Sequence, residues 1–281
     1  MYRVPIVHFI ETRLNQNFYP RLMSNLRITT IQTNLQWEAP AANRAMFDAK
    51  LASLAGQTDV VVLPEMFTTG FSMNATALAE TMDGETLQWM TKHAARLDAV
   101  LTGSLIVQEN NNYYNRLIWM RPDGSYETYD KRHLFTMADE HHTYTAGTVR
   151  LVTEWRGWRV CPLVCYDLRF PVWARNTEEY DLLIYTANWP AMRAYAWRTL
   201  LHARAIENQA YTVGVNHVGK DGKGIPYCGD TMVVEPSGAE ILYHKADIED
   251  VHTETLSWEH LQRVRKKLPF LADRDAFEMS E

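Results

Sequence analysis

The chain has 281 residues, 46% of them hydrophobic, with a formal net charge of -6 and three cysteines. That is ample material for one large core, while the acidic balance argues against nucleic acid as a partner. Three cysteines make no disulfide framework, which points to a reducing cytoplasm, and no apolar run approaches the roughly 20 residues of a membrane span.

Residues 1–22, MYRVPIVHFIETRLNQNFYPRL, hold a short apolar run that Glu11 interrupts. The long apolar core and small-residue cleavage site of a secretory signal are missing. An N-terminal extension with little packing, disordered in solution, is expected here, with the folded unit starting at Met23. From Leu26 the segment LRITTIQT alternates and is β-branched, so it reads as a strand. PAANRAMFDAKLASLAG has helical spacing and stops at Gly56. DVVVLPE is a short continuous apolar run, the pattern of a strand buried on both faces. A helix over 85–97 and a strand over 99–107 follow, and then strands over 113–120 and 126–129 form a hairpin around RPDGS.

After a long polar loop, 150–153 and GWRVCPLVC read as strands, FPVWARNTEEY as a short helix and DLLIYTAN as another buried strand. AYAWRTLLHARAIENQ is a helix over 194–209, 210–216 is a strand, and DTMVVEP and AEILYH form a hairpin across PSG. The basic stretch RVRKKLP predicts an exposed helix near the end. There are no repeats and no interior linker. The pattern predicts one α/β domain over 23–270, with a tail over 271–281. Roughly ten to twelve strands and four or five main helices are expected, in two sheets rather than one.

In such a fold, reactive side chains gather where buried strands end. Glu65 follows the apolar run ending at Pro64, where a carboxylate is expensive to bury without a partner; the alternative is a surface acid. Lys131 stands in a long loop rich in charge and histidine, which is either solvated or functional. Cys165 closes the strand VCPLVC just before a helix, whereas Cys161 lies deeper in the strand and reads as an inert apolar residue. On one strand the two cysteines would lie ~13 Å apart, too far for a shared ion or a disulfide. Glu140, His141 and His142 cluster but form no HExxH motif, so no metal and no cofactor is expected.

Taken together, LPE at Glu65, YDKRHLF at Lys131 and VCYDLRFP at Cys165 resemble the Glu–Lys–Cys triad of the nitrilase superfamily, the carbon–nitrogen hydrolases. MADEHHTYTAG sets Glu140 where that family has a second glutamate beside the lysine, and ARAIENQAY and GDTMVVEPSG resemble its late segments. The likeness spans about residues 26–270 and is strongest to the bacterial omega-amidase branch, through EWRGWRVCPLVCYDLRFPVWAR and TANWP. It implies a four-layer α-β-β-α sandwich, a homodimer or larger homo-oligomer, and hydrolysis of the terminal amide of 2-oxoglutaramate or 2-oxosuccinamate through a thioester.

On this reading Cys165 is the nucleophile, Glu65 the general base and acid, and Lys131 the oxyanion donor together with the backbone N–H of Tyr166. Glu140 keeps Lys131 charged. Arg193 is a candidate for the substrate carboxylate, and Phe67, Phe71 and Trp189 for the pocket wall. Asp167 and Arg169 are expected to pair as structural ions, and His133 and His217 to support the structure. A nitrilase and an N-carbamoyl amino acid hydrolase share this triad. A papain-like enzyme with a histidine base such as His133, and a non-catalytic binding module on the same fold, are further alternatives.

Overall fold

Within the described residues, 24–278 of a computed structural model, the chain runs β1 (Leu26–Gln32), α1 (Pro40–Leu51), β2 (Val60–Val62), α2 (Ala75–Leu78), α3 (Glu85–Leu97), β3 (Val100–Glu109), β4 (Asn112–Met120), β5 (Tyr126–Asp130) and α4 (Glu140–Thr143). The second half runs β6 (Thr153–Trp155), β7 (Trp158–Val164), α5 (Pro171–Ala174), β8 (Leu182–Thr186), α6 (Ala194–Asn208), β9 (Tyr211–Val215), β10 (Val218–Lys220), β11 (Pro226–Cys228), β12 (Met232–Val234), β13 (Glu240–Tyr243), β14 (Asp250–Leu256) and α7 (Trp258–Lys267). The extension expected over 1–22 lies outside the described residues.

Two six-stranded sheets form, in the orders β14-β1-β2-β3-β4-β5 and β13-β12-β9-β8-β7-β6. Their central strands are parallel, β1 with β2 and β3 in one sheet, β7 with β8 and β9 in the other. Period-two alternation decides the layers. Val60 and Val62 pack with Val160, Leu182 and Ile184 in a core between the sheets, while Val61 turns to the other face, against Phe47, Met90 and Leu97 of α1 and α3. In the second sheet Cys161, Leu163, Leu183 and Tyr185 face Trp197, Leu201 and Ala205 of α6. The order is therefore helices, sheet, sheet, helices, the four layers expected. Each such valine, removed fully from water, contributes about 1.5 kcal/mol or more.

Helix α3 matches its predicted range, because Leu87, Met90, Ala94 and Leu97 repeat at helical spacing and Asp98, at φ 50°, ends it in the left-handed region. Helix α1 stops short of the prediction: it ends at Leu51, and residues up to Gly56 are turns. The strand expected over 150–153 lies instead at β6, pairing with β7 from Thr153. Fourteen strands are present among the described residues, more than predicted. The additions are β14, which pairs antiparallel with β1 along its whole length, and the separate β10–β11 hairpin.

Candidate active site

Four strand ends meet at one place, two from each sheet. The connection after β2 carries Glu65, and Met66 anchors it to β3 by donating from its backbone N to Ser104 Oγ at 2.8 Å. Lys131 is the first residue past β5. The loop carrying Glu140 passes back across that point at Gly147, whose N donates to Lys131 O at 3.0 Å. A Cβ at Gly147 would stand 2.1 Å from Asp130 O, so no larger residue permits this crossing. From the second sheet, Cys165 follows β7 and Asn188 follows β8.

Cys165 has left the strand: its φ is 43°, in the left-handed region that costs a non-glycine residue about 1 kcal/mol or more. The turn is braced by Asp167, fully buried, which accepts from Val164 N, Tyr129 Oη, His133 N and His133 Nδ1 at 2.7–3.0 Å. Those bonds tie the elbow of Cys165 to the segment just after Lys131, so one carboxylate fixes the thiol relative to the ammonium. The Asp167–Arg169 pair expected from sequence does not form. Asp167 turns inward, while Arg169 points to the surface and lies over the Trp189 ring at 4.8 Å.

Glu65, Lys131 and Glu140 are all at most 1% exposed. Lys131 Nζ donates to Glu65 Oε1 at 2.9 Å and to Glu140 Oε1 and Oε2 at 3.0 and 2.9 Å. Burial alone would lower the lysine, but the Glu140 and Glu65 charges overcome it and raise its pKa above the usual ammonium range. Burial raises Glu140, against the pull of Lys131. Two asparagines missed in the sequence complete the cluster. Asn115 Nδ2 donates to Glu65 Oε1 at 2.7 Å and Glu140 Oε1 at 3.2 Å, and Asn188 N donates to Glu65 Oε2 at 2.8 Å. Asn115 opens NRLIWM beside Arg116 and Asn188 ends LLIYTAN, each at the edge of an apolar run, where no local pattern marks it for this contact.

Burial pushes the Cys165 thiol well above its ordinary value; the Glu65 charge adds to this, and Lys131 only partly opposes it. The resting sulfur is therefore a thiol that must lose its proton as it reacts. Alkylation by iodoacetamide should keep accelerating up to and beyond pH 9, the ordinary thiol value. A rate that has already levelled off at neutral pH would reveal a preformed thiolate and contradict this. Cys161 is fully buried and burial pushes it up to about 12, consistent with an inert thiol.

Above these groups is a cavity of about 210 Å³, lined by Lys131, Cys165, Tyr166, Phe71, Trp189 and Arg193 among others. Phe71 also lies 5.1 Å from Lys131 Nζ. Phe67 does not reach the cavity. It packs edge-on against Phe47 at 5.5 Å in the helix-facing core, because the turn after Glu65 sends it to the far side of the sheet. His133 is stacked on Phe170 at 3.7 Å and bonded to Asp167, and His217 is buried against Tyr227. Asp139, His141 and His142 bring three ligand atoms within 4.8 Å, but all three are exposed, on the turn whose Glu140 points inward.

A buried carboxylate, an ammonium and a thiol lie at the meeting of two sheets in an α-β-β-α sandwich, and the chain belongs to the carbon-nitrogen hydrolase family, enzymes that cleave carbon–nitrogen bonds, whose profile matches residues 27–266. It is 48% identical over 257 residues to the omega-amidase YafV of Escherichia coli (strain K12), covering 92% of this chain and 100% of that protein. The 2-oxoglutaramate amidase of Bacillus subtilis (strain 168) is 31% identical over 252 residues, covering 88% of this chain and 96% of that one. Among solved structures, a CN-hydrolase superfamily protein from Xanthomonas campestris, with an arsenic adduct in its active site, superposes with a TM-score of 0.90 at 46% identity, covering 92% of this chain and 100% of that chain.

Proposed function

We propose that this protein is an omega-amidase that hydrolyses the terminal amide of small 2-oxo acid amides, 2-oxoglutaramate and 2-oxosuccinamate, to the 2-oxo dicarboxylate and ammonia. The observation that carries the reading is the Lys131 ammonium held between Glu65 and Glu140 beside the Cys165 thiol, at the closed end of a small cavity. The likeness to an omega-amidase and a 2-oxoglutaramate amidase over most of the chain supports the substrate class.

In the proposed mechanism Cys165 Sγ attacks the amide carbon while its proton passes to Glu65. Before attack, Lys131 is engaged by Glu65 and Glu140. Once Glu65 is protonated its hold on Nζ weakens, and a donor is freed for the new oxyanion, with the Tyr166 N–H as its partner. Glu65 then returns the proton to the nitrogen, ammonia leaves, and a thioester to Cys165 remains. Glu65 next takes a proton from water, which attacks the thioester, and the sulfur recovers a proton as the carboxylate departs. Glu140 accepts no proton; it keeps a cation beside a site that passes through negative charge twice.

Arg169 and Arg193 are the proposed partners of the substrate carboxylate. Both line the cavity, and among the described residues neither forms an ion pair. Phe71 and Trp189 form its wall. No helix among the described residues is long and apolar enough to cross a membrane; a cytoplasmic homo-oligomer completes the proposal, supported by exposed Val172, Tyr195 and Ile206 on α5 and α6. The profile match over 27–266 supports domain bounds of 23–270. The test is ammonia release by the purified protein. 2-Oxoglutaramate should give a kcat/KM at least about 100-fold above that for N-carbamoyl amino acids or aliphatic nitriles. Faster turnover of either competitor would assign the site to that chemistry instead.

A further inference from the structure

We propose that Lys223, at the tip of the β10–β11 hairpin, is a specificity-determining residue that selects carboxylate-bearing amides over neutral ones. The proposal deepens the omega-amidase reading and rests on it for the reaction, although not for the identity of the acid.

Three cationic side chains line the cavity in addition to Lys131, namely Arg169, Arg193 and Lys223. Most arginines among the described residues have carboxylate partners, among them Arg27, Arg44, Arg116, Arg150 and Arg265. The three at the cavity have none among the described residues. Arg169 and Arg193 lie over the Trp189 and Phe135 rings instead, at 4.8 and 5.3 Å. Lys223 comes from a separate piece of the chain, and like Arg169 it is exposed, whereas Cys165 and Lys131 are buried. The cations therefore occupy the solvent-facing end of the cavity and the reacting groups its closed end. An amide bound for hydrolysis at Cys165 must send its other end toward them.

One acid, Asp221, also lines the cavity, yet it is engaged elsewhere. Its Oδ1 accepts from Lys223 N and Ile225 N, both at 2.9 Å, and its Oδ2 accepts from Tyr227 Oη at 3.3 Å. Asp221 thus shapes the turn from which Lys223 extends and forms no ion pair with it. The hairpin is held at three further points. Val218 N donates to Thr33 O at 3.1 Å, the Tyr227 ring packs at a tilt against His217 with centroids 4.0 Å apart, and Gly222 lies so close to Trp37 that a Cβ there would stand 2.3 Å from Nε1. A tip braced in this way fixes the backbone from which Lys223 extends, so that only its side chain must be ordered when substrate binds.

The chain as a whole is acidic, at -6, and charges beyond roughly 8 Å are screened in physiological salt. Attraction of an anionic substrate therefore depends on cations at the cavity itself. The remaining lining is largely aromatic and aliphatic, including Phe71, Phe135, Trp189 and Ile225. It would accept a neutral amide of similar length equally well, so the charges set the preference.

The test compares kcat/KM for 2-oxoglutaramate and for butyramide, which lacks the carboxylate, in the wild type, Lys223→Met and Lys223→Arg. The expected result is a fall of about tenfold in the ratio of the two in Lys223→Met, carried by KM for the acid. Lys223→Arg should recover most of the ratio, and the salt dependence of the acid reaction should be shallower in Lys223→Met. An equal loss on both amides would mean that the hairpin is merely structural, and an unchanged ratio would mean that Lys223 reads nothing; either overturns the proposal. If the wild type ignores 2-oxoglutaramate, the same ratio is taken with succinamate. A Lys223-dependent preference there sustains the inference while the substrate assignment falls.

Discussion

Cys165→Ala should lower kcat for amide hydrolysis by at least about 10⁴-fold and leave a folded protein. The side chain removed is small and lies at the cavity, 8% exposed, with a weak contact from Sγ to Asn188 O at 3.9 Å and a side-chain hydrogen bond with Glu65. Its loss takes away the only thiol among the described residues that faces the buried glutamates. The control is Cys161→Ala. That sulfur sits four positions earlier in the same segment but packs with Leu163 and Leu183 under α6. Its removal should cost about 1 kcal/mol of stability and leave kcat within about twofold of wild type. Steady-state kinetics and thermal melts of the two variants separate the roles. A dead Cys161→Ala beside an active Cys165→Ala would reverse them.

Glu65→Gln should be nearly as damaging, with kcat reduced by about 10³-fold or more, because in the proposed mechanism the proton transfers of both acylation and deacylation pass through this carboxylate. The amide has nearly the same shape, so the loss isolates the chemistry. Its effect on stability is the difference of two opposed changes. Two carboxylates share one ammonium, and removing one relieves the surplus buried negative charge. Against that, Glu65 accepts on both oxygens, from Lys131 and Asn115 on one and from Asn188 N on the other. An amide must point an NH₂ at one of those donors. The melting temperature is therefore expected to move by no more than about 5 °C, far too little to explain the loss of turnover. The same variant tests the histidine-based alternative. His133 is the residue that alternative needs, and its Nδ1 is bonded to Asp167 at 2.8 Å while its ring is stacked on Phe170. Full activity in Glu65→Gln would restore that alternative.

What could be read in advance followed from burial. Runs such as VVV and LLIY can be satisfied only by strands covered on both faces, and a charged residue placed just after such a run is conspicuous, as Glu65 is; Lys131 follows the polar strand YETYD and stands out instead through the long loop rich in charge and histidine that it opens. Strand β14, DVHTETL, eluded the same reasoning because it is an edge strand with polar residues through most of its length, held chiefly by its ladder with β1. The hairpin carrying Lys223 has three-residue strands and a turn built by one aspartate, too short for any periodicity. Asp167 and Arg169 are near in sequence and opposite in charge, so pairing looked natural. The helical turn after Cys165 instead sends one inward to four donors and the other outward to an indole. Asn115 and Asn188 act through backbone and carboxylate contacts between strands from both sheets, which no local pattern encodes.

The central claim is that Cys165 carries the acyl group during turnover, primed by Glu65 and supported by Lys131. Rapid quenching of the protein during hydrolysis of 2-oxoglutaramate, followed by digestion and mass spectrometry, tests it directly. The account predicts an acyl adduct on the peptide containing Cys165, at the sulfur of that residue, which disappears as substrate is exhausted. An adduct confined to Cys161, or to any residue outside the site, would contradict it.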